Sequence, residues 1–520
     1  VGARSGFSIE VIAMRRTRVI LLIAAVGVFI QGSGVHQLPA AGNEGGFQTS
    51  SWALIWDDVG HLALAVDGER NICIVGICCK EVDLDPTAGE FLYAPSKPWS
   101  WVGGYALKIS TSGELLWART FEASEVTSPS DVAVDSAGGV YIAGRFEGTL
   151  SFDGQPSVVA PEWDVEDPCL FKLDSSGELE WMYSVHGEDT GGSQGSLVAV
   201  DTQDNVYLAG TYGGYPRFEQ TTPPLSWPDW RVLSSTTNAF LVKLDAQANV
   251  KWARKWAGGH TVSLGGMAVD RRGSVCVTGA AIPYLGATWF FEEHGEVDFE
   301  FELGSFLIRF DTYGFPLCTD SLHSAFGSPS KVAFDASGEL YIAGSRRSGL
   351  GLYLDEAQES AGALDVGTLY IAHYTRDLGF QVIESLDGEN ESRASGLAVD
   401  SQGVDSQGNV YVSGSFWAEA DLDPGIDEDW HRGGPYWNHF VIRLNSGLGY
   451  MGSFMWMVSE RSYGLEPTAC DVAVDPDGNV YVISGCSTDS TIRLTRDFAW
   501  EGELGDHSRV LFKLSPDVFR

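Results

Sequence analysis

Apolar and polar positions along this chain alternate in short runs, each bounded by Gly, Asp, Asn, Ser or Pro. Asp131-Val-Ala-Val-Asp135 is followed by a Gly-containing turn and then by Val140-Tyr-Ile-Ala-Gly144. Runs of this length with period-two or continuous apolar character predict β-strands. No segment sustains the i, i+3, i+4, i+7 spacing of an amphipathic helix, so helical repeats are excluded.

The same phrase returns along the chain. It reads Leu197 to Gly210, Met267 to Gly279, Val332 to Gly344 and Leu397 to Gly414, and more loosely Leu64 to Gly76 and Val472 to Gly485. Its marker aspartates are Asp67, Asp135, Asp201, Asp270, Asp335, Asp405 and Asp475, spaced on average about 68 residues apart. In the sixth copy Asp-Ser-Gln-Gly occurs at both Asp400 and Asp405, a duplication that lengthens the turn. A second phrase is an apolar strand with one basic residue: Lys108, Lys172, Lys243, Arg309, Arg443 and Lys513, with His373 standing in once. A third is a strand carrying Trp117, Trp181 or Trp252, with Cys318 at that place in the fourth copy.

Each period therefore holds four short antiparallel strands joined by turns such as Pro476-Asp477-Gly478-Asn479. Seven such units predict an all-β fold, a seven-bladed β-propeller of four-stranded blades. The last unit stops at its third strand, Val510 to Ser515. The missing fourth strand is found at Trp52-Ala-Leu-Ile-Trp56, which matches Trp117-Ala-Arg-Thr-Phe121 and Trp252-Ala-Arg-Lys-Trp256. The amino-terminal strand is thus expected to complete the last blade and close the ring, which removes open sheet edges. Residues 49–520 are read as the propeller and residues 1–48 as an upstream extension, a signal peptide and a linker.

Composition narrows the function classes. The 520 residues carry 33 Lys and Arg against 70 Asp and Glu, a net charge of −37. That excludes a nucleic-acid binder, which needs a basic face, and a polybasic membrane-surface protein. At 44% hydrophobic and 12% aromatic residues the chain is not a disordered coil. Glycine, 62 residues, is in excess because seven units repeat the same turns. Met14 precedes Arg15, Arg16 and Arg18, then an apolar run from Val19 to Ile30. That is the layout of a secretory signal, and the run is short for a membrane span. A secreted, extracellular or periplasmic monomer is expected, with no membrane contact beyond the signal. Cys73 and Cys276 sit inside apolar strands, where buried free thiols are expected, and Cys78-Cys79 lacks zinc-ligand spacing.

The Val-Ala-Val-Asp…Gly-Asn-Val-Tyr…Gly phrase, Asp-Leu-Asp-Pro at Asp83–Pro86 and Asp421–Pro424, and the Lys-Leu-Asp…Trp strand pair resemble the SBBP-type repeat family of exported bacterial and archaeal proteins. The resemblance covers nearly all of the chain after residue 50. It implies a seven-bladed propeller in a surface or secreted protein, and no shared chemistry.

Three sets of residues are candidates for binding. The marker aspartates would form a ring suited to a cation, or would each cap their own turn. The pairs Asp83/Asp85, Asp298/Glu300 and Asp421/Asp423 present two carboxylates on one side of extended chain, which suits calcium; a solvated acidic corner is the alternative. The long second-to-third-strand segments gather ten of the seventeen Trp, among them Trp99, Trp101, Trp227, Trp230, Trp417, Trp430 and Trp437. Aromatic platforms among carboxylates suit a carbohydrate or protein ligand on the face where these segments emerge, or they pack the segments against the blades.

Ser193 fits the letters of a nucleophile elbow, but it leads into a strand rather than a helix. No phosphate-cradling loop, dinucleotide fingerprint or paired-His zinc motif is present. The leading expectation is a non-enzymatic binding propeller, calcium its one candidate cofactor. The alternative is an extracellular polysaccharide lyase or hydrolase or a quinone-type dehydrogenase. For that reading Glu292, Glu293, His294, Asp429, His431 and His439, in the least regular stretches, are the residues to inspect.

Overall fold

Strands whose residues are apolar at successive positions must be covered on both faces, and radially stacked sheets provide that cover. The computed structural model describes residues 29–30, 35–37 and most of 51–519. The segments 98–102, 160–166, 188–196, 214–215, 219–236, 258–260, 283–287, 292–294, 301–303, 324–328, 346–352, 355–368, 387–390, 401–407, 461–467, 486–489, 495–500 and 505–507, with residues 58, 88, 426 and 520, lie outside that description, as do the remaining residues before 51.

The described strands form seven antiparallel blades. Blade 1 runs Val59–Val66, Ile72–Cys78, Gly103–Ile109 and Leu115–Ala123. Blade 2 runs Val126–Val134, Val140–Glu147, Asp167–Leu173 and Leu179–Gly187. Blade 3 runs Leu197–Val200, Val206–Gly213, Thr237–Leu244 and Val250–Ala257. Blade 4 runs Thr261–Val269, Val275–Ile282, Gly304–Phe310 and Pro316–His323. Blade 5 runs Pro329–Phe334, Leu340–Ser345, Leu369–Tyr374 and Phe380–Ser385. Blade 6 runs Ser392–Val399, Val410–Asp421, Trp430–Leu444 and Tyr450–Glu460. Blade 7 takes Thr468–Val474, Val480–Gly485 and Arg509–Leu514 from the end of the chain and Trp52–Trp56 from its beginning. That last strand pairs antiparallel with the third, Trp52 opposite Lys513 and Trp56 opposite Arg509, as its match to the Trp strands predicts.

The buried apolar residues fall into seven clusters, one at each blade-to-blade interface. Trp52, Leu54, Tyr481 and Ile483 of blade 7 pack with Leu64, Ile72, Ile74 and Leu107 of blade 1, so the closing interface is built like the others. Within a strand, neighbours face opposite blades: Val140 and Ile142 pack toward blade 1, Tyr141 and Ala143 toward blade 3. The innermost strands carry Ala at one shared position (Ala65, Ala133, Ala199, Ala268, Ala333, Ala398, Ala473), half-buried in every blade. The strand-ending Gly of the repeat is fixed by close approach. A Cβ on Gly344 would meet the Tyr370 hydroxyl at 2.4 Å, and one on Gly279 would meet the Phe306 ring at 2.5 Å.

The long second-to-third-strand segments do not simply stand up from one face. Several fold back and add strands to the outer edge of the preceding blade. Thr149–Phe152 pairs with the outer strand of blade 1, Pro216–Phe218 with that of blade 2 and Thr288–Phe291 with that of blade 3. Tyr353–Leu354 does so on blade 4 and Ser490–Leu494 on blade 6. On blade 7 the added strand is Val35–Gln37, from the residues 1–48 read as lying before the propeller, and Phe29–Ile30 of the apolar run pairs parallel with Glu501–Leu504. Such cover blunts the hydrogen-bonding edge of each outer strand.

Candidate functional site

The marker aspartates are turn caps. Asp135 Oδ1 accepts from the amides of Ala137 (3.0 Å) and Gly139 (2.7 Å), and the same two-amide pattern holds at Asp67, Asp201, Asp270, Asp335 and Asp475. In the sixth copy it is Asp400, not Asp405, whose amide bonds Asn409 across the turn, because the duplication is absorbed inside the loop. Asp405 lies outside the described residues. The second carboxylate oxygen meets the basic residue of the third strand: Lys108–Asp67 at 2.7 Å, Lys243–Asp201 at 3.1 Å and Arg309–Asp270 at 2.6 Å. In blade 5 His373 instead pairs with Glu339 at 2.9 Å. In blades 2, 3 and 7 the second-strand Tyr reaches the same Asp, and the Tyr207 hydroxyl is within hydrogen-bond distance of Asp201, Lys243 and the Gly273 carbonyl of the next blade; in blade 5 Tyr341 donates to the Ser446 carbonyl instead. Blades 1 and 4 have the buried Cys73 and Cys276 in place of the Tyr, and burial pushes the Cys73 thiol up to about 12. Among the described residues these contacts engage the marker carboxylates within the ring.

The fourth-strand Trp is an inter-blade staple that the repeat displays without revealing its purpose. Trp117, Trp181 and Trp252 donate from Nε1 to the carbonyls of Ser175, Ala246 and Thr312, each in the third-to-fourth-strand turn of the next blade. Arg119 and Arg254 extend the grip to the Gly177 and Gly314 carbonyls.

The two Asp-Leu-Asp-Pro loops are wedges. Leu84 and Leu422 are wholly buried, and Asp83 Oδ1 closes its loop by accepting from Asp85 and Phe91. Asp421 Oδ1 does the same with Asp423 and Asp429, and Asp85 Oδ1 holds Thr87. The Leu84 carbonyl accepts from Trp56 of blade 7, and Leu422 packs with Leu386 of blade 5, so each loop fills the groove to the preceding blade. Among the described residues no three carboxylate, imidazole or thiol groups converge as a metal site would require. Asp298 and Glu300 lie on the added strand Gly295–Glu300, and their side chains are outside the described set.

Of the aromatic candidates, Trp99, Trp101, Trp227 and Trp230 lie outside the described residues, as do Ser193, Glu292, Glu293 and His294. Trp437 is a packing residue. It stands edge-on to its cross-strand partner Trp417 at 5.8 Å, and the Arg393 guanidinium lies 5.1 Å over its ring, itself bonded to Glu391. Trp430 differs. It sits opposite Asp421 in the same hairpin with 45% of its surface exposed, whereas its neighbours Asp429 and His431 are buried.

Those two neighbours are pinned. Asp429 Oδ2 receives the Tyr450 and Ser453 hydroxyls and His431 Nε2 (3.0 Å), and Ser453 Oγ lies 3.2 Å from the same nitrogen. Burial pushes the Asp429 carboxyl up, but the three donors outweigh it and hold it well below the usual carboxylate range. A nucleophilic triad needs one imidazole nitrogen for the serine and the other for the carboxylate. Here one nitrogen faces both and the serine is within direct bonding distance of the carboxylate, so the group is a pin rather than a proton relay. His439, the third residue singled out in this stretch, is elsewhere, stacked on Trp456 at 5.8 Å, its pKa lowered to about 4 by burial and by Arg509. Around the loop, burial raises the Asp423 carboxyl, with Asp421, Asp427 and Asp429 adding to it, and burial together with Asp423 raises Glu384 of blade 5.

No family model matches the chain, and no curated protein does. Among solved structures it is similar to a protein of unknown function from Dyadobacter fermentans DSM 18053, at 11% identity and a TM-score of 0.37, over 75% of this chain and 96% of that one. It is also similar to the rhamnogalacturonan lyase YesW, at 9% identity and a TM-score of 0.34, over 92% of this chain and 76% of that one. Function is therefore argued from the residues.

Proposed function

We propose that this propeller is a secreted, non-enzymatic binding module whose ligand is a carbohydrate held at Trp430. The observation that carries the reading is the contrast between Trp430 and its neighbours. Two flanking side chains are buried and locked by Tyr450 and Ser453, while the indole between them is held out on a paired strand. An exposed aromatic that is already ordered loses little entropy on binding, which is the character of an interface anchor. An indole face takes the C–H face of a sugar ring, and carboxylates nearby accept its hydroxyls. Asp423 and the exposed Asp427 and Glu428 precede Trp430 in the same loop and supply such acceptors. Their charge disfavours a polyanionic glycan.

Subtraction supports the same place. The recurrent Asp67, Lys108, Asp201, Lys243, Asp270, Arg309 and the Trp117, Trp181 and Trp252 staples have structural duties in the ring, which favours a ligand site on residues that depart from the repeat, and Trp430 is one. Export follows from the basic start at Met14 and the apolar run behind it. Isothermal titration against a panel of neutral and acidic polysaccharides, with wild type and Trp430→Ala, tests the binding reading. Heat with a neutral glycan that vanishes in the variant is expected. Equal heats for both proteins would refute it.

A further inference from the structure

The axis of the ring carries a group of charges that neither the repeat nor the proposed site uses. The innermost strands of six blades are bulged, with register shifts between Gly60 and Ala63, Pro129 and Asp131, Leu264 and Gly266, Pro329 and Lys331, Ala394 and Gly396, and Thr468 and Asp471. The residue after each bulge faces the next blade. In blades 4 and 6 it is Gly, because a Cβ there would meet the next blade's backbone within 3.0 Å. In blades 2 and 7 it is Asp. Asp131 Oδ2 accepts from the Val198 amide at 2.9 Å, and Asp471 Oδ2 from the Leu64 amide at 3.1 Å. In blade 5 it is Lys331, whose ammonium passes blade 6 and reaches Asp471 Oδ1 of blade 7 at 3.5 Å.

We propose that Asp131, Lys331 and Asp471 form a pH-operated clasp across the axis of the ring. One ammonium, paired with Asp471 and within electrostatic reach of Asp131, faces two carboxylates that each hold the next blade, so ionising both leaves a negative charge at the axis without a full counter-charge. Burial is the main force on Asp131, and it raises the carboxyl from 3.8 to about 6; Lys331 and the Val198 amide oppose it and Asp471 adds to it. Lys331 is held above its ordinary value, chiefly by Asp471 and then by Asp131 against the cost of burial. The folded ring thus binds the Asp131 proton more tightly than the unfolded chain does. The resulting stabilisation is complete below about 3.8 and is lost as pH rises through about 6. Of the strands packed on the Asp131 strand, Val59–Val66 carries His61, Ile72–Cys78 carries Cys73 and Cys78, Gly103–Ile109 carries Tyr105 and Lys108, Leu115–Ala123 carries Arg119 and Glu122, Val140–Glu147 carries Tyr141, Arg145 and Glu147, and Leu197–Val200 carries no titratable side chain.

The test is the melting temperature of the full chain as a function of pH, for wild type, Asp131→Asn and Lys331→Met, each also in a His61→Gln background. Asparagine keeps an acceptor for the Val198 amide, so the fold is retained. The clasp predicts that Asp131→Asn melts higher than wild type at about pH 8 and that the gap closes at about pH 3, below the unfolded value. Lys331→Met, lacking the counter-charge, should shift the midpoint of the wild-type pH dependence upward. A difference between Asp131→Asn and wild type that stays constant over this range would overturn the proposal. So would a pH dependence that disappears with His61→Gln alone.

Discussion

The indole nitrogen of Trp52 donates to the carbonyl of Thr111 at 3.0 Å, joining the first strand of the ring to the far turn of blade 1. Lys513, opposite Trp52 in blade 7, donates to the same carbonyl at 3.0 Å. The bond repeats the one that Trp117 makes to Ser175 between blades 1 and 2, so closure uses the ordinary inter-blade staple. Trp52→Phe removes the donor and part of the buried ring and should cost about 1–3 kcal/mol, whereas Trp52→Ala should cost about 3–5 kcal/mol through the larger cavity it leaves. Denaturant unfolding of the two variants reads that order.

The Lys243–Asp201 pair is buried, and losing one partner strands the other. Lys243→Met should destabilise by about 3–5 kcal/mol and Tyr207→Phe by about 1 kcal/mol, read by urea midpoints. Burial raises the Asp201 carboxyl, but Asn205, the turn amides and Lys243 prevail and hold it below 3.8. Its stabilising contribution is therefore present above that value and lost as pH falls through the folded one, opposite in sign to Asp131.

Gly344 and Gly68 make a matched pair for the packing argument. A methyl group at Gly344 runs into the Tyr370 hydroxyl, while nothing lies within 4 Å of one at Gly68. Gly344→Ala should lower stability by about 1–3 kcal/mol and Gly68→Ala should stay within about 0.5 kcal/mol of wild type, checked by thermal melts.

Asp429→Asn weakens a carboxylate held by three donors and should cost about 1.5–3 kcal/mol at neutral pH. Because the Asp429 carboxyl is depressed, the gap between variant and wild type should narrow as pH falls below about 3.8. A set of melts across acid pH reads this directly.

The ring was legible in the sequence because every blade meets the same demands. Six described turns share the same Asp cap, and the strand Trp52–Trp56 could be matched to a missing element by its own residues. What departs from the repeat was less legible. Asp131, Lys331 and Asp471 occur at one register position in three different blades, and nothing in the sequence brings them to one axis. Ser453 and Tyr450 meet Asp429 only because the hairpin of blade 6 bends back at its bulge, where Ala418 has positive φ. The fold-back of the long segments onto preceding blades depends on the edge of a neighbouring sheet, which no local pattern encodes. The tryptophans of blade 6 looked alike, and only burial separates the packed Trp437 from the exposed Trp430.

On the proposed reading Trp430 serves a ligand and not the fold. Retention in affinity electrophoresis through neutral polysaccharide, with the melting temperature of the same samples as control, distinguishes the two roles. Trp430→Ala is expected to lose retention while melting within about 1 °C of wild type, as an exposed substitution should. A variant that melts well below wild type yet is retained as strongly would contradict it.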